Sequence, residues 1–110
     1  MGVRFEISWT ATGGRQFQLK NDSGEVILQS ESYKTLSGCT NGIASCQDHA
    51  PYERFYVRNK EGTSVGFYLR AANNRILGCG PCRNAAELSE ADIAAIKKYA
   101  PGAEIRDKTR

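Results

Sequence analysis

The segment Cys79-Gly80-Pro81-Cys82 is the part of this sequence best suited to covalent chemistry. Two cysteines separated by two residues can exchange disulfides when the first thiol ionises at neutral pH. A helix starting at that cysteine would favour the thiolate through its dipole, but the predicted helix cap, Ser89, comes later. Thiol-redox or metal chemistry at Cys79 and Cys82 is therefore one hypothesis, and a Gly-Pro turn carrying two incidental thiols is the other.

A zinc site built from all four cysteines, Cys39, Cys46, Cys79 and Cys82, is the related hypothesis. Structural zinc favours two closely spaced pairs of ligands. Only the second pair has such spacing, because the first two cysteines are seven residues apart on a predicted helix. A buried cysteine is also often a small core residue. We therefore predict no bound metal and no cofactor.

Other catalytic groups are scarce, and the bulk composition is ordinary. The lone histidine, His49, falls at a predicted helix end, and no Ser-His-Asp set or phosphate-binding loop stands out. The net charge of +3 does not favour nucleic acid or a membrane surface as partner. No apolar run reaches the roughly 18 residues of a membrane span. We expect a non-enzymatic cytoplasmic protein without catalytic residues, in which the cysteines are free, metal-bound or redox-active rather than a structural disulfide framework.

The elements that position these residues follow from apolar periodicity. Alternation predicts three strands, near residues 3–9, 16–20 and 25–29, with a turn at Asn21-Asp22-Ser23-Gly24. A stripe at spacings of three and four predicts a helix that ends before Pro51. The stripe consists of Leu36, Cys39, Ile43, Cys46 and Ala50.

The second half of the chain repeats this scheme without a gap when it is shifted by 50 residues. Arg4-Phe5-x-Ile7 falls on Arg54-Phe55-x-Val57, and Phe17-x-Leu19 falls on Phe67-x-Leu69. Because most matches lie at apolar positions that a core would fix, we interpret them as a tandem duplication. We expect one domain over residues 1–110, made of repeats of about 1–51 and 52–110, with a last strand near 103–107.

One sheet face should remain open if both helices pack on the other. With Phe17, Leu19, Phe67 and Leu69 inward, the alternation turns another set of side chains outward. This set comprises Gln16, Gln18, Lys20, Arg54, Tyr56, Arg58, Tyr68 and Arg70. Aromatic and basic groups on an open sheet, here Tyr56, Tyr68 and Arg70, can bind nucleic acid by stacking, or can simply form cross-strand pairs.

Four segments of the first half resemble the YegP-like family, also known as the DUF1508 domain. They are Phe17-x-Leu19-Lys20, Gly24-Glu25-Val26-Ile27, Ser30-Glu31-x-Tyr33 and Asn41-Gly42-Ile43-x-Ser45. The second half departs from this pattern, since Gly80-Pro81-Cys82-Arg83 replaces the Ser-Glu-x-Tyr motif. The resemblance implies two β(3)-α-β units in one sheet, with the final strand of each exchanged onto the other. It implies no activity, because the family is one of unknown function.

We therefore predict an α+β fold, in which a tandem duplication forms a single antiparallel sheet with two helices on one face. Its function would be to bind a protein or a small ligand, through the open sheet or through the loop carrying Ser30, Glu31 and Tyr33. That loop could equally have a structural role, in which Ser32 or Thr35 caps the helix. We expect a monomer with an internal pseudo-twofold axis.

Overall fold

The computed structural model describes residues 2–110. It contains seven strands and two 14-residue helices in the predicted order, β-β-β-α-β-β-β-α-β. None of the helices in the described chain has the length and hydropathy needed to span a membrane. The elements are β1 (Arg4–Trp9), β2 (Arg15–Lys20), β3 (Val26–Gln29), α1 (Leu36–His49), β4 (Tyr56–Glu61), β5 (Ser64–Arg70), β6 (Ile76–Cys79), α2 (Ala86–Tyr99) and β7 (Glu104–Asp107).

All seven strands form one sheet, in the order β4-β5-β6-β3-β2-β1-β7. The prediction of a purely antiparallel sheet was wrong, because β7 lies parallel to β1, with Arg4 opposite Glu104. Two strands joined by a hairpin must be antiparallel. Because β7 follows α2 and is joined to β1 by no hairpin, the connection does not fix its direction. The last strand of the chain, β7, thus pairs with the first strand, β1.

The two halves meet where β3 pairs with β6, through Gln29 and Cys79. Both helices pack on the sheet face that carries Phe17, Leu19, Phe67 and Leu69, as predicted. The apolar stripe of α1 is buried there, with Cys39, Ile43, Cys46 and Ala50 all inaccessible to solvent. The first and last residues of α2 lie 50 positions after those of α1, and those of β6 lie 50 positions after those of β3.

The first strand of the second half departs from that spacing by one residue. Phe5 lies opposite Leu19 in β1, but Tyr56, rather than Phe55, lies opposite Leu69 in β4. The prediction that Tyr56 faces outward was therefore wrong, since a one-residue slip turns every side chain to the other face. Tyr56 is buried, and its hydroxyl donates to the Ala50 carbonyl at 2.7 Å.

The start of α2 also differs from the prediction. Ser89 is not the N-cap, because the helix begins at Ala86, after Ala85, which makes no side-chain capping bond. Ser89 instead lies in the core at 1% exposure, where its hydroxyl is the one buried side-chain polar atom without a partner within residues 2–110. In α1, by contrast, Thr35 caps the helix by accepting from the Gly38 amide at 2.9 Å.

Candidate ligand-binding cleft

The loop from Ser30 to Tyr33 joins β3 to α1, and its residues have three different environments. Ser30 is buried, and its hydroxyl accepts from the Phe17 amide at 2.9 Å and donates to the Glu31 carbonyl at 2.8 Å. Glu31 is exposed and faces Arg75, with 3.8 Å between their charged atoms. Tyr33 is only 9% exposed and pairs its main chain with Arg15. Ser30 thus serves the fold, while Tyr33 and Glu31 lie beside a cleft.

The cleft has a volume of about 300 Å³ and lies between α1 and the turn that connects β5 to β6. Tyr33 stacks on Phe17, and its hydroxyl lies over Gly42, where a Cβ atom would be only 2.4 Å from the hydroxyl oxygen. Glycine at position 42 therefore lets the tyrosine ring pack against the helix. The groups lining this Tyr33 cleft include Tyr33, Asn41, Gly42, Ser45, Asn73 and Arg75.

The far wall of the cleft is the turn from Ala71 to Arg75. Asn74 adopts the left-handed conformation, with φ of 69°, which asparagine tolerates better than most residues. The turn is attached to α1 by His49, whose Nε2 accepts from the Ala72 amide at 3.1 Å while its Nδ1 bonds to the Ser45 carbonyl at 2.8 Å. The lone histidine therefore positions one wall of the cleft.

The polar side chains of the cleft can all donate hydrogen bonds, and Arg75 can only donate. Within residues 2–110 the Tyr33 hydroxyl has no hydrogen-bond partner, and burial raises the pKa of Tyr33, so this group stays protonated at neutral pH. The Arg75 guanidinium lies 5.8 Å from the Tyr33 ring centre and is more than half exposed. Tyr33, Asn41 and Arg75 thus place three hydrogen-bond donors in the lining of one cleft.

The corresponding region of the second half is closed by an ion pair. Arg83, 50 residues after Tyr33, donates two hydrogen bonds to Asp92, at 2.8 and 3.0 Å. Asp92 in turn occupies the position of Gly42, and Glu25 lies 3.8 Å from the same guanidinium. Arginine and aspartate therefore replace the tyrosine and glycine of the first half, and their charges are satisfied within the chain.

The open sheet face carries one continuous row of side chains across all seven strands. The row is Val57, Tyr68, Cys79, Gln29, Gln18, Glu6 and Arg106. Tyr68 and Arg70 lie on this face as predicted, but Arg70 donates to Asn74 and to the Arg54 carbonyl, both at 3.1 Å. With Tyr56 buried and Arg70 engaged, the face offers little for stacking bases or holding phosphates.

The four cysteines are all free and do not come together. Cys39 and Cys46 lie in the core, where burial raises the pKa values of their thiols to about 11 and about 12. Cys79 ends β6 and Cys82 lies in the extended segment before α2, both exposed. Partial desolvation of its thiol and the charge of Glu31 nevertheless raise the pKa of Cys79, which disfavours a reactive thiolate. No group of three potential metal ligands occurs among the described residues.

Sequence reasoning proposed Tyr33 as a binding residue but did not find its neighbours in the cleft. Asn41 and Ser45 belong to the family pattern, which gives them no role, although one helical turn separates them and places them on one face. That spacing was the available signal. Arg75 and Asn73 carried no such signal, because only the sheet pairing of β6 beside β3 brings their turn to α1.

Comparison with known sequences agrees with the resemblance seen in the first half. The family described as "Domain of unknown function (DUF1508)" matches residues 11–56. A UPF0339 protein of Stutzerimonas stutzeri is 34% identical over 106 residues, covering 96% of each chain. The UPF0339 protein YegP of Escherichia coli is 34% identical over 107 residues, again covering 96% of each chain. The similarity therefore extends well beyond the matched segment.

Solved structures show the same architecture. The solution NMR structure of E. coli YegP superimposes with a TM-score of 0.90 at 31% identity, covering 98% of this chain and 94% of that one. A UPF0339 protein from Shewanella oneidensis gives the same TM-score and identity, covering 97% and 92%. Both the sequence and the fold are thus shared over nearly the whole length. The chain belongs to the DUF1508 family of UPF0339, YegP-like proteins, whose function is unknown.

Proposed function

We propose that this chain is a cytoplasmic, non-enzymatic binding domain that acts as a monomer and holds a small ligand in the Tyr33 cleft. One observation carries the proposal: the hydroxyl of a tyrosine that is only 9% exposed has no partner within residues 2–110 and borders an open cleft. Because that hydroxyl faces an open cleft, it can donate a hydrogen bond to a bound ligand. Small-molecule sites are typically such concave surfaces with a few convergent polar groups.

The difference between the two halves supports this location. In α1 the cleft is lined by Asn41 and Ser45, whereas α2 has Ala91 and Ala95 at the corresponding positions. Polar side chains are therefore present on α1, which borders the cleft. They are missing from α2, where an ion pair closes the corresponding region. The fold itself tolerates alanine there, so the polar groups of α1 are available for a ligand.

The test is a fragment screen followed by two-dimensional ¹H–¹⁵N NMR. We expect bound fragments to shift the amides around Tyr33, Asn41 and Arg75. Tyr33→Phe should weaken binding about three- to tenfold, since it removes one hydrogen bond. The matched control is Tyr68→Phe, which removes the same group from the open sheet face and should change nothing. Shifts that cluster around Tyr68 instead would contradict the proposal.

The monomeric state is tested separately, by light scattering on the purified chain. We expect a mass of 12.1 kDa across a concentration series. A species of twice that mass at micromolar concentration would show that the chain pairs with itself. The binding data would then have to be interpreted for a dimer.

We also propose that the two halves arose by tandem duplication. The equal spacing of both helices, and of β3 and β6, supports this origin. A chain that repeats residues 3–52 and ends with residues 103–110 should then fold cooperatively into a sheet of the same size. Circular dichroism and urea unfolding test this expectation, and an unfolded product would count against the equivalence of the halves.

A further inference from the structure

The charge around the Tyr33 cleft points to a particular class of ligand. Arg75 is the one ionisable cation lining it, and no aspartate or glutamate lines it among the described residues. The nearest acid, Glu31, approaches Arg75 only from the rim, and both side chains are more than half exposed. Such an exposed ion pair contributes little to stability, so Arg75 can readily exchange Glu31 for a ligand. The cleft is thus electrostatically suited to an anion.

The second half of the same fold contains a bound carboxylate at the corresponding place. There the Asp92 carboxylate accepts two hydrogen bonds from Arg83 and is almost fully buried. In the first half Gly42 occupies that helical position and supplies no carboxylate, although the Tyr33 hydroxyl and the Arg75 guanidinium, which the second half contributes, both line the cleft. Planar guanidinium groups bind carboxylates in a bidentate manner, which a single lysine cannot reproduce.

We propose that the ligand of the Tyr33 cleft is a small carboxylate, with Arg75 binding the carboxylate group and Tyr33 and Asn41 donating further hydrogen bonds. This inference rests on the proposed function and specifies its ligand class. Ala71 and Leu77 add apolar surface to the cleft beside the polar Ser45 and Asn73, so an apolar group attached to the carboxylate could pack against them. An aromatic carboxylate meets both requirements.

Benzoate and benzamide are the probes, because they share a shape and differ in charge. Binding of each is measured by NMR titration at constant ionic strength, with inorganic phosphate as a third probe. We expect benzoate to bind at least about tenfold more tightly than benzamide, as a charge-assisted hydrogen bond implies. Arg75→Gln should abolish that difference. Glu31→Gln should instead tighten benzoate binding about two- to fivefold, because it removes the competing carboxylate.

Arg106→Gln is the matched control, since it removes the same charge from an equally exposed arginine on β7. It should leave both affinities unchanged. If benzamide binds in the cleft as well as benzoate, or if Arg75→Gln has no effect, the carboxylate inference is overturned while the proposed function stands. If phosphate binds more tightly than benzoate, the ligand class is wrong. If the cleft binds neither these probes nor any fragment, both proposals fail.

Discussion

Ser89 provides the sharpest test of the packing in this protein. Its side chain is 1% exposed, and its hydroxyl has no hydrogen-bond partner among the described residues. The corresponding residue of the first half is Cys39, which is also fully buried and needs no hydrogen bond. A buried hydroxyl without a partner costs about 1–3 kcal/mol. Replacing Ser89 by alanine or cysteine should therefore increase the free energy of unfolding.

For Ser89→Ala we expect a gain of about 1–2 kcal/mol, because the small void left behind offsets part of the relief. A gain of about 1 kcal/mol corresponds to a rise of about 4–8 °C in Tm for a domain near this size. The reverse change, Cys39→Ser, should lower stability by about 1–3 kcal/mol. Both values are measured by urea unfolding followed by circular dichroism.

Alanine also favours helix more than serine does, so a control must remove that contribution. Ala94→Ser is suitable, because Ala94 lies within α2 and is exposed, so this change reverses the propensity contribution without burying a hydroxyl. The excess of the gain in Ser89→Ala over the loss in Ala94→Ser isolates the cost of the buried hydroxyl. A loss of stability in Ser89→Ala would refute the reasoning, since it would mean that the hydroxyl is satisfied, for instance by a buried water.

Two further predictions concern buried charges. Arg83→Ala should lower the free energy of unfolding by about 2–3 kcal/mol, because it leaves the Asp92 carboxylate unpaired. In urea unfolding, the double variant with Asp92→Ala should lose clearly less stability than the sum of the two single variants. Additive losses would contradict a coupled pair. Glu6 is 7% exposed, and the hydrogen bonds that it accepts from Lys20 and Arg4 lower its pKa. Its contribution to stability is therefore fully present above the ordinary glutamate pKa of about 4.3. That contribution is lost as the pH falls through the lower pKa of the folded state. Glu6→Gln should therefore flatten the fall in unfolding free energy between about pH 5 and pH 3, and an unchanged slope would rule out this assignment.

The closed and open regions show how two similar halves can differ in chemistry. Tyr33 and Gly42 fill the same positions as Arg83 and Asp92, and each pair is compatible with the same helix and strand geometry. The change in the second half supplies its own counter-charge. The cleft at the first half instead leaves the Tyr33 hydroxyl accessible to a ligand, beside the Arg75 guanidinium that the second half contributes.

Local patterns were enough to predict the element order, the core stripe of α1 and the turn at residues 21–24. Alternation and helical spacing depend only on which side of an element meets the core. The order of strands and helices, and the burial of Phe17, Leu19, Ile43 and Cys46, were therefore predicted from sequence. A binding role for the motif loop stays a prediction, and the structure places Tyr33 of that loop beside a cleft.

Only the tertiary structure decided the features that depend on partners distant in the chain. The register of β4 is set by its pairing with β5, which turned Tyr56 inward although its sequence spacing placed it outside. The parallel pairing of β7 with β1 and the cap of α2 depended likewise on contacts that no local pattern records. The cleft itself exists because β6 pairs with β3 and brings Arg75 beside Tyr33, so its chemistry is a property of the assembled sheet.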